Sequence, residues 1–254
     1  MDRHDLYELC VQSPPDAVRL LREAHGGEPR VLGEDFCGTA AVARAWVSSV
    51  PGGRAVGVDH DPEVLARAAA LAPPGLTLIR GDVRTATDPA DPAHRCDVLF
   101  VGNFSIGELH DRPALVAYLC RCRERLTPGG VAVIDTYGGE TAFRTGTLGR
   151  LRIGPRGEIV RSIWEQREAD PLTARVVNAL HFRIEEDGEI TQELFDAFVY
   201  RWRLWSVPEL RDAMTEAGFA SNQDILQAET WSPSDRFNAI CVIGPTKERR
   251  RLNS

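Results

Sequence analysis

Acidic and small polar side chains follow four short apolar runs of this sequence, at the points where strands of a sheet would end. In order, the runs are followed by Glu34, Asp35 and Gly38, by Asp59, by Asp82, and by Asn103 with Ser105. Carboxylate and amide groups of this kind bind hydroxyl, amino and ammonium groups. Because the carboxyl ends of parallel strands meet at one edge of a sheet, we expect these residues to form one ligand site there.

The first group lies in VLGEDFCGTA, residues 31–40, a segment typical of a strand, a turn and a helix. No GxxxxGKS or GxxxxGKT pattern is present, which argues against a phosphate-binding P-loop and phosphoryl transfer. A dinucleotide loop would place a pyrophosphate beside Glu34 and Asp35, which repel it. S-adenosylmethionine carries an ammonium and a sulfonium group and no phosphate, so both acids attract it. With Gly38 as bare backbone for close approach, the loop favours this cofactor.

Two later carboxylates fit the rest of the same cofactor. Asp59 lies about 20 residues beyond the loop, the spacing at which a carboxylate accepts both ribose hydroxyls, and an NAD ribose would suit it equally. Asp82 is placed to accept the adenine amino group, although a single acid at a strand end is more often a helix cap or a solvated turn. The ordered set of strand ends favours a ligand site over these separate explanations.

The elements that would position these residues alternate along the first half of the chain. Residues 13–27, SPPDAVRLLREAHGG, have a serine cap, prolines in the first turn and a glycine stop, which predict a helix. From Arg30 onward, short apolar runs alternate with helical patterns. This rhythm predicts a Rossmann-like α/β fold with a mostly parallel sheet and helices on both faces.

After Gly139 the pattern changes to three runs with a period of two, which predict an antiparallel β insertion, or cap, after the fifth strand. A helix that begins after Ser206 and a closing strand pair at DILQAETW and FNAICVIGP return to the first fold. We therefore expect a cofactor-binding domain at residues 1–140 with 206–254 and a cap subdomain at 141–205.

The motifs of residues 30–140 also stand in the order and spacing of a known family. VLGEDFCGTA, AVGVDHDPEVLARA, GDV, FVGNFSIGEL and RLTPGGVAVIDTYGG resemble the successive motifs of class I S-adenosylmethionine-dependent methyltransferases. The chain departs from the family at two loop glycines, which are Phe36 and Ala40 here. The β-rich insertion and the PELRDAMTEAGF helix are similar to those of the sugar N-methyltransferases of antibiotic pathways.

This resemblance implies a role for each motif. It assigns Glu34 and Gly38 to the methionine end, Asp59 to the ribose, and Asp82 with Val83 to the adenine, while Asn103 and Phe104 form the floor of the pocket. Neighbouring motif residues and Tyr7 of the leading segment complete the predicted set. The predicted cofactor-binding residues are Tyr7, Glu34, Phe36, Cys37, Gly38, Asp59, His60, Asp82, Val83, Asn103, Phe104 and Ser105.

Methyl transfer from a sulfonium is an in-line displacement, so we expect the cap to supply groups that orient the acceptor and accept a proton. We predict His181 and Tyr137 as catalytic residues. The predicted acceptor-binding residues are Tyr137, Trp164, Arg201 and Arg203. The alternatives are a structural histidine at position 181 and, for the two arginines, pairing with Glu165 or Glu185 across the sheet.

Strand parity orders these candidates. Leu180, Phe182 and Ile184 share one face of a strand, which places His181 on the other. In the next strand Phe198, Tyr200, Trp202 and Leu204 share a face, which places Arg201 and Arg203 opposite.

Composition limits the partners of the protein. A formal net charge of −7 over 254 residues gives no broad electrostatic reason to bind nucleic acid. No apolar run approaches the roughly 20 residues of a membrane helix, and the first residues are too polar for a signal peptide, so we expect a cytoplasmic protein without membrane contact. The six cysteines include no CxxC pair and no histidine at ligand spacing; we therefore expect no metal.

The sequence thus predicts an enzyme that moves a methyl group from S-adenosylmethionine to an oxygen or nitrogen of a small polar metabolite, such as a sugar or natural product, and leaves S-adenosylhomocysteine. Methylation of protein or RNA is one alternative. An NAD-dependent oxidoreductase is another, which the acidic loop opposes. A third is a module that binds S-adenosylmethionine without catalysis. Beyond the small-molecule acceptor, a homodimer is an open option.

Overall fold

The computed structural model describes residues 1–139, 141–220, 224–227 and 238–246. The chain divides into two compact units. The smaller unit contains residues 1–13 and 141–204, and the larger unit contains residues 14–139 and the described residues from Trp205 onward. Within the described part, no helix is both long enough and apolar enough to cross a membrane.

The described residues contain six α-helices, eleven strands and two short 3-10 helices, Pro92–His94 and Ser105–Glu108. In chain order the α-helices and strands are α1 (Arg3–Val11), α2 (Pro14–His25), β1 (Val31–Asp35), α3 (Ala41–Ser49), β2 (Arg54–Asp59), α4 (Pro62–Ala70), β3 (Leu76–Arg80), β4 (Cys96–Val101), α5 (Arg112–Arg125), β5 (Leu126–Gly138), β6 (Gly146–Ile153), β7 (Ile159–Asp170), β8 (Arg175–Glu186), β9 (Glu189–Arg203), α6 (Val207–Glu216), β10 (Asp224–Gln227) and β11 (Asn238–Pro245).

The larger unit is built on a seven-stranded sheet in the order β10-β11-β5-β4-β1-β2-β3. Strands β1 to β5 are parallel, and β11 and β10 add antiparallel pairs at one edge. Apolar clusters lie on both faces, one around Trp46 and Leu32 and the other around Leu99 and Leu119. The predicted Rossmann-like sheet is confirmed, and it brings the carboxyl ends of β1, β2 and β4 side by side.

The helix predicted over residues 13–27 is α2. It begins at Pro14 directly after Ser13 and buries Val18 and Leu21. It ends before Gly26, whose φ of 69° lies in the left-handed region that favours glycine. The prolines therefore mark the start of the helix and the glycine marks its end, as predicted.

The smaller unit contains a four-stranded antiparallel sheet in the order β6-β7-β8-β9. Three of these strands were predicted, and the antiparallel insertion is confirmed, but β6 was missed. Its sequence, GTLGRLRI, has two glycines and two arginines and is mostly exposed. Such an edge strand is specified by its backbone hydrogen bonds to β7, which run from Gly146 opposite Gln166 to Ile153 opposite Ile159, and not by an apolar period.

Helix α1 was not predicted, and it belongs to the smaller unit. Its Asp2 caps the amides of His4 and Asp5, and its Leu6 and Cys10 are buried in one cluster with Leu180 and Phe182. The sequence-based boundaries group residues 1–13 with the cofactor domain, whereas these contacts place them on the antiparallel sheet. The apolar stripe of α1 is too short to predict a buried helix from the sequence. It is part of a core because it packs against β8.

Candidate cofactor site

The turn between β1 and α3 has an unusual backbone. Phe36, Gly38 and Ala40 have φ values of 57°, 55° and 56°, a region in which side chains crowd the backbone and only glycine is unstrained. The turn is fixed by hydrogen bonds from the Cys37 amide to the Val58 carbonyl at 3.0 Å and from the Ala40 amide to the Cys37 carbonyl at 2.7 Å. A Cβ placed on Gly38 would have no heavy atom within 4 Å. The bare backbone of Gly38 thus faces open space, where a ligand can approach closely.

Glu34 lies under this turn at the end of β1. The residue is 4% exposed, and its Oε2 accepts a hydrogen bond from the Ala43 amide at 2.8 Å. Helix α3 lacks a side-chain cap of its own, because its N-cap residue is Ala40, so Glu34 takes that part. Burial raises the pKa of Glu34 to about 8 against the effect of the Ala43 hydrogen bond. A cation nearby would favour the ionised form, which fits an ammonium group.

Asp59 connects the end of β2 to the same turn. It is 9% exposed, its Oδ2 accepts from the Gly38 amide at 2.8 Å, and its Oδ1 accepts from the Asp61 amide at 3.0 Å. An ionised carboxylate has about four acceptor positions, so capacity remains for hydroxyl donors. His60 is mostly exposed, with its Nδ1 3.7 Å from Asp59 Oδ1. The arrangement fits a ribose at Asp59.

The expectation that both acids of the loop attract the cofactor is wrong for Asp35. Successive strand residues point to opposite faces of the sheet, and Asp35 points into the core, where it accepts from Arg125 Nη1 and from the Tyr118 hydroxyl, each at 2.8 Å. The Asp35 and Arg125 side chains are 0% and 1% exposed. Gly33 leaves room for this pair, since a Cβ there would lie 3.1 Å from Arg125 Nη2. Sequence reasoning missed the buried pair.

Asp82 is held by Arg84. Its Oδ1 accepts from the Arg84 amide at 2.9 Å, and both of its oxygens accept from the guanidinium at 2.5 to 3.0 Å. The hydrogen bonds from Arg84 lower the pKa of Asp82. This is the solvated turn that the sequence left as the alternative; the adenine role of Asp82 stays a prediction, as does that of the adjacent, buried Val83.

The loop after β4 contains the next predicted residues, Asn103, Phe104 and Ser105. Asn103 and Phe104 both have left-handed φ values, 55° and 63°, and their amides donate to the two carboxylate oxygens of Asp135 at 2.8 and 2.6 Å. The Ser105 amide donates to the Gly102 carbonyl at 3.2 Å. Asp135 was not predicted as a site residue. A single acidic residue inside the apolar run VAVIDTY could have indicated a buried carboxylate with a specific partner.

Asp135 also stands two residues before Tyr137 on β5. Burial raises the pKa of Asp135 to about 7, although the Asn103 and Phe104 amides lower it. The rings of Phe104 and Tyr137 meet edge to face, with centroids 5.1 Å apart, and Tyr137 is buried. The predicted catalytic tyrosine is therefore in contact with the predicted floor of the cofactor pocket.

In the smaller unit, His181 has both ring nitrogens engaged. Nδ1 accepts from the Asp196 amide at 2.9 Å, which leaves the proton on Nε2, 3.1 Å from Glu165 Oε2. A neutral imidazole has one donor and one acceptor nitrogen, so a general base at this position would first have to break the Asp196 bond. The base role stays a prediction, and these contacts favour the alternative of a structural histidine.

Glu165, His181 and Asp196 are close enough to one another to hold a metal ion. Arg167, however, donates to Glu165 at 2.7 Å and to Asp196 at 2.9 Å. This guanidinium binds both carboxylates and offsets one of their two negative charges, and neither imidazole nitrogen has a lone pair to spare. We assign no metal to the cluster.

An aromatic row runs along the face of β9 that strand parity predicted. Phe198 and Tyr200 stack with ring centroids 6.3 Å apart, and Tyr200 and Trp202 with centroids 4.3 Å apart. Trp164 lies 6.0 Å from Tyr200, and Tyr7 of α1 lies 5.1 Å from Phe198. The parity prediction is confirmed, and Trp164 and Tyr7 fall on the same aromatic surface.

Arg201 and Arg203 follow the opposite parity, with Arg201 exposed and Arg203 half-buried. The acids offered as their partners are bound by other arginines: Glu165 by Arg167 at 2.7 Å and Glu185 by Arg161 at 3.7 Å. Acceptor binding by the two arginines stays a prediction.

Part of the sequence is similar to a known protein family, and the fold is similar to that of solved structures. Residues 35–130 match the family model described as a methyltransferase domain. No curated protein matches the sequence. The matched segment contains the turn, Asp59, Asp82 and the loop after β4. Residues 35–130 are therefore similar to a methyltransferase domain, and Glu34, Asp135 and Tyr137 lie just outside the matched segment.

Solved structures share the fold over almost the whole chain. CalS10 of Micromonospora echinaspora, described as an S-adenosylmethionine-bound amino pentose methyltransferase of calicheamicin biosynthesis, is 20% identical, with 96% of each chain covered and a TM-score of 0.70. DesVI of Streptomyces venezuelae is 21% identical, with 96% of this chain and 98% of that chain covered and a TM-score of 0.71. KedS8 of a Streptoalloteichus species, described as a sugar N-methyltransferase, is 19% identical, with coverages of 96% and 93% and a TM-score of 0.67.

Proposed function

We propose that this S-adenosylmethionine-dependent methyltransferase transfers its methyl group to the amino nitrogen of a small sugar-like metabolite. The observation that supports the cofactor side most strongly is the pairing of an open Gly38 backbone with the Glu34 and Asp59 carboxylates at adjoining strand ends. This set suits a cationic amino acid end, which would favour the ionised form of Glu34, and a ribose at Asp59.

The acceptor class rests on two supports of different kinds. CalS10 and KedS8, which share the fold, are described as acting on an amino pentose and on sugar nitrogen. The rings of Trp164 and Tyr200, which are half-buried beside the buried Trp202, are the proposed aromatic contacts for the C–H face of a sugar ring and for a cationic amine. Arg201 and Arg203 lie on the opposite face of β9, so their role in acceptor binding stays a separate prediction and is not part of this aromatic contact.

The chain would act chiefly by positioning. When bound, S-adenosylmethionine supplies a methyl group that passes to the acceptor nitrogen by in-line displacement. Tyr137, whose ring rests against Phe104, would orient the acceptor beside the cofactor floor. An amine that is already neutral needs no base before the transfer, so proximity can supply most of the rate, and the engaged nitrogens of His181 are no obstacle to it.

Labelled S-adenosylmethionine tests the proposal when it is offered with matched acceptors: amino sugars, the same sugars with hydroxyl in place of amino groups, peptides and RNA. We expect label only in the amino sugars. Label in the hydroxyl analogues would move the acceptor atom to oxygen, and label in peptide or RNA would refute the small-molecule class. Binding of S-adenosylhomocysteine without turnover on any acceptor would indicate the non-catalytic module.

A homodimer remains part of the proposal. Phe195 and Val199 of the edge strand β9 are 72% and 42% exposed, and exposed apolar side chains on an edge strand can mark protein contacts. Sedimentation analysis of the wild type and of Phe195→Ser checks this, with dissociation expected only in the variant. A monomeric wild type would contradict it.

A further inference from the structure

The loop between β4 and the 3-10 helix Ser105–Glu108 contains two consecutive non-glycine residues, Asn103 and Phe104, whose φ angles lie in the left-handed region. L-residues adopt this conformation rarely, because the Cβ atom crowds the backbone, and a pair in succession needs an external restraint. The restraint in this loop is the carboxylate of Asp135.

The register of the sheet explains why Asp135 reaches the loop. Val101, the last residue of β4, pairs with Ile134 of β5, so Asp135 is the first residue of β5 beyond the end of its neighbour. Its two oxygens accept the amides of Asn103 and Phe104 at 2.8 and 2.6 Å. Consecutive backbone amides that point toward one place form an anion-binding concavity, and the carboxylate of Asp135 occupies this one.

The same restraint extends to the acceptor side. Phe104, whose amide Asp135 holds, places its ring against Tyr137 with centroids 5.1 Å apart. If the loop relaxed to right-handed geometry, the Phe104 side chain would turn away from this contact. Asp135 thus determines the backbone of the pocket floor and the packing of Tyr137 together.

We propose that Asp135 is a positioning residue of the transferase, which holds Asn103 and Phe104 in the geometry that binds the cofactor and supports Tyr137. This inference rests on the proposed function in one respect, which is that the loop forms part of the cofactor pocket. It is independent of the identity of the acceptor.

Asp97 provides a matched control within the same sheet. Its Oδ2 also accepts two consecutive amides, those of Arg30 and Val31 at 2.9 and 3.0 Å, and its Oδ1 accepts the Thr127 hydroxyl at 2.8 Å. Asp97 lies at the amino end of β4, away from the carboxyl ends where the cofactor is expected. Asp97→Asn therefore removes the charge of a similar carboxylate without touching the pocket floor, and its amide oxygen can still accept both N–H groups.

The experiment measures the Kd of S-adenosylhomocysteine by calorimetry, and the Tm of the unliganded protein, for the wild type, Asp135→Asn and Asp97→Asn. In Asp135→Asn the amide group can accept only one of the two N–H groups. We expect its Kd to rise about tenfold, because apparent affinity falls with the fraction of loops in the competent conformation, and the Kd of Asp97→Asn to stay within about twofold of wild type. Equal Kd changes in both variants, or a fall in Tm with unchanged Kd in Asp135→Asn, would overturn the proposal.

Hydrogen exchange of the wild type keeps the proposal testable if Asp135→Asn does not fold. The amides of Asn103 and Phe104 should be protected without any ligand, since Asp135 already holds them. Exchange of both at the rate of an open loop would overturn the proposal. A wild type that binds no S-adenosylhomocysteine at all would instead contradict the cofactor site, so the two failures are distinguishable.

Discussion

The pH dependence of cofactor binding gives a sharp test of the role proposed for Glu34. The carboxyl group is buried and has a pKa of about 8 without a ligand, so about 99% of it is protonated at pH 6. Binding of the cofactor ammonium against Glu34 requires the ionised form, and the proton must then leave. Replacement by Gln keeps a neutral acceptor for the Ala43 amide and removes the titration.

The size of the effect follows from the pKa. Ionising a group two pH units below its pKa costs about 2.7 kcal/mol, or about 1.4 kcal/mol for each pH unit. The affinity for S-adenosylhomocysteine should therefore rise by up to about tenfold for each unit between pH 6 and pH 8 in the wild type. In Glu34→Gln this contribution is absent, so the affinity should be lower at pH 8 and nearly flat with pH.

Calorimetry in two buffers of different ionisation enthalpy measures both quantities, the Kd and the number of protons released on binding. We expect nearly one proton from the wild type at pH 6 and at least half a proton less from Glu34→Gln. Equal proton release and equal pH slopes in the two proteins would refute the reasoning, because Asp135, whose pKa is raised to about 7, would then be the group that titrates.

Three further predictions concern single side chains. Asp59→Ala should weaken binding of S-adenosylhomocysteine by about 1.5–3 kcal/mol, because the ribose and the Gly38 amide lose a charged acceptor; unchanged calorimetric affinity in a folded variant would contradict the ribose assignment. Arg125→Met should lower the free energy of unfolding by about 3–5 kcal/mol in urea titrations, since it leaves the buried Asp35 carboxylate without its cation, and adding Asp35→Leu should recover much of the loss. His181→Phe should lower stability with little change in kcat; a fall in kcat of about 10²-fold or more would restore the base role.

Stability of the unliganded protein should also depend on pH through Glu34. Its pKa is raised in the folded state from an ordinary value of 4.5 to about 8, so the folded state binds the extra proton between these values. The contribution of Glu34 to the free energy of unfolding is fully present below about pH 4.5. It is lost as pH rises toward 8, by at most about 1.4 kcal/mol for each pH unit. Denaturant titrations of wild type and Glu34→Gln should differ in this slope, and parallel profiles would contradict it.

The sequence by itself determined the α/β domain and the order of its cofactor motifs. Helix α2 and the parallel strands carry local signals, namely caps, glycine stops and apolar periodicity, which arise within a few residues of one another. Gly38, Glu34 and Asp59 could be placed together from the sequence because parallel strands deliver their carboxyl ends to one edge.

Only the tertiary structure decided what each polar side chain contacts. Asp35 and Glu34 are neighbours in sequence, yet strand alternation sends one to Arg125 in the core and the other to the helix α3. The anchoring of the Phe104 loop by Asp135 joins residues 31 positions apart, and the edge strand β6 exists through its pairing with β7. Such contacts depend on the register between strands. They cannot be predicted from the periodicity of the local sequence.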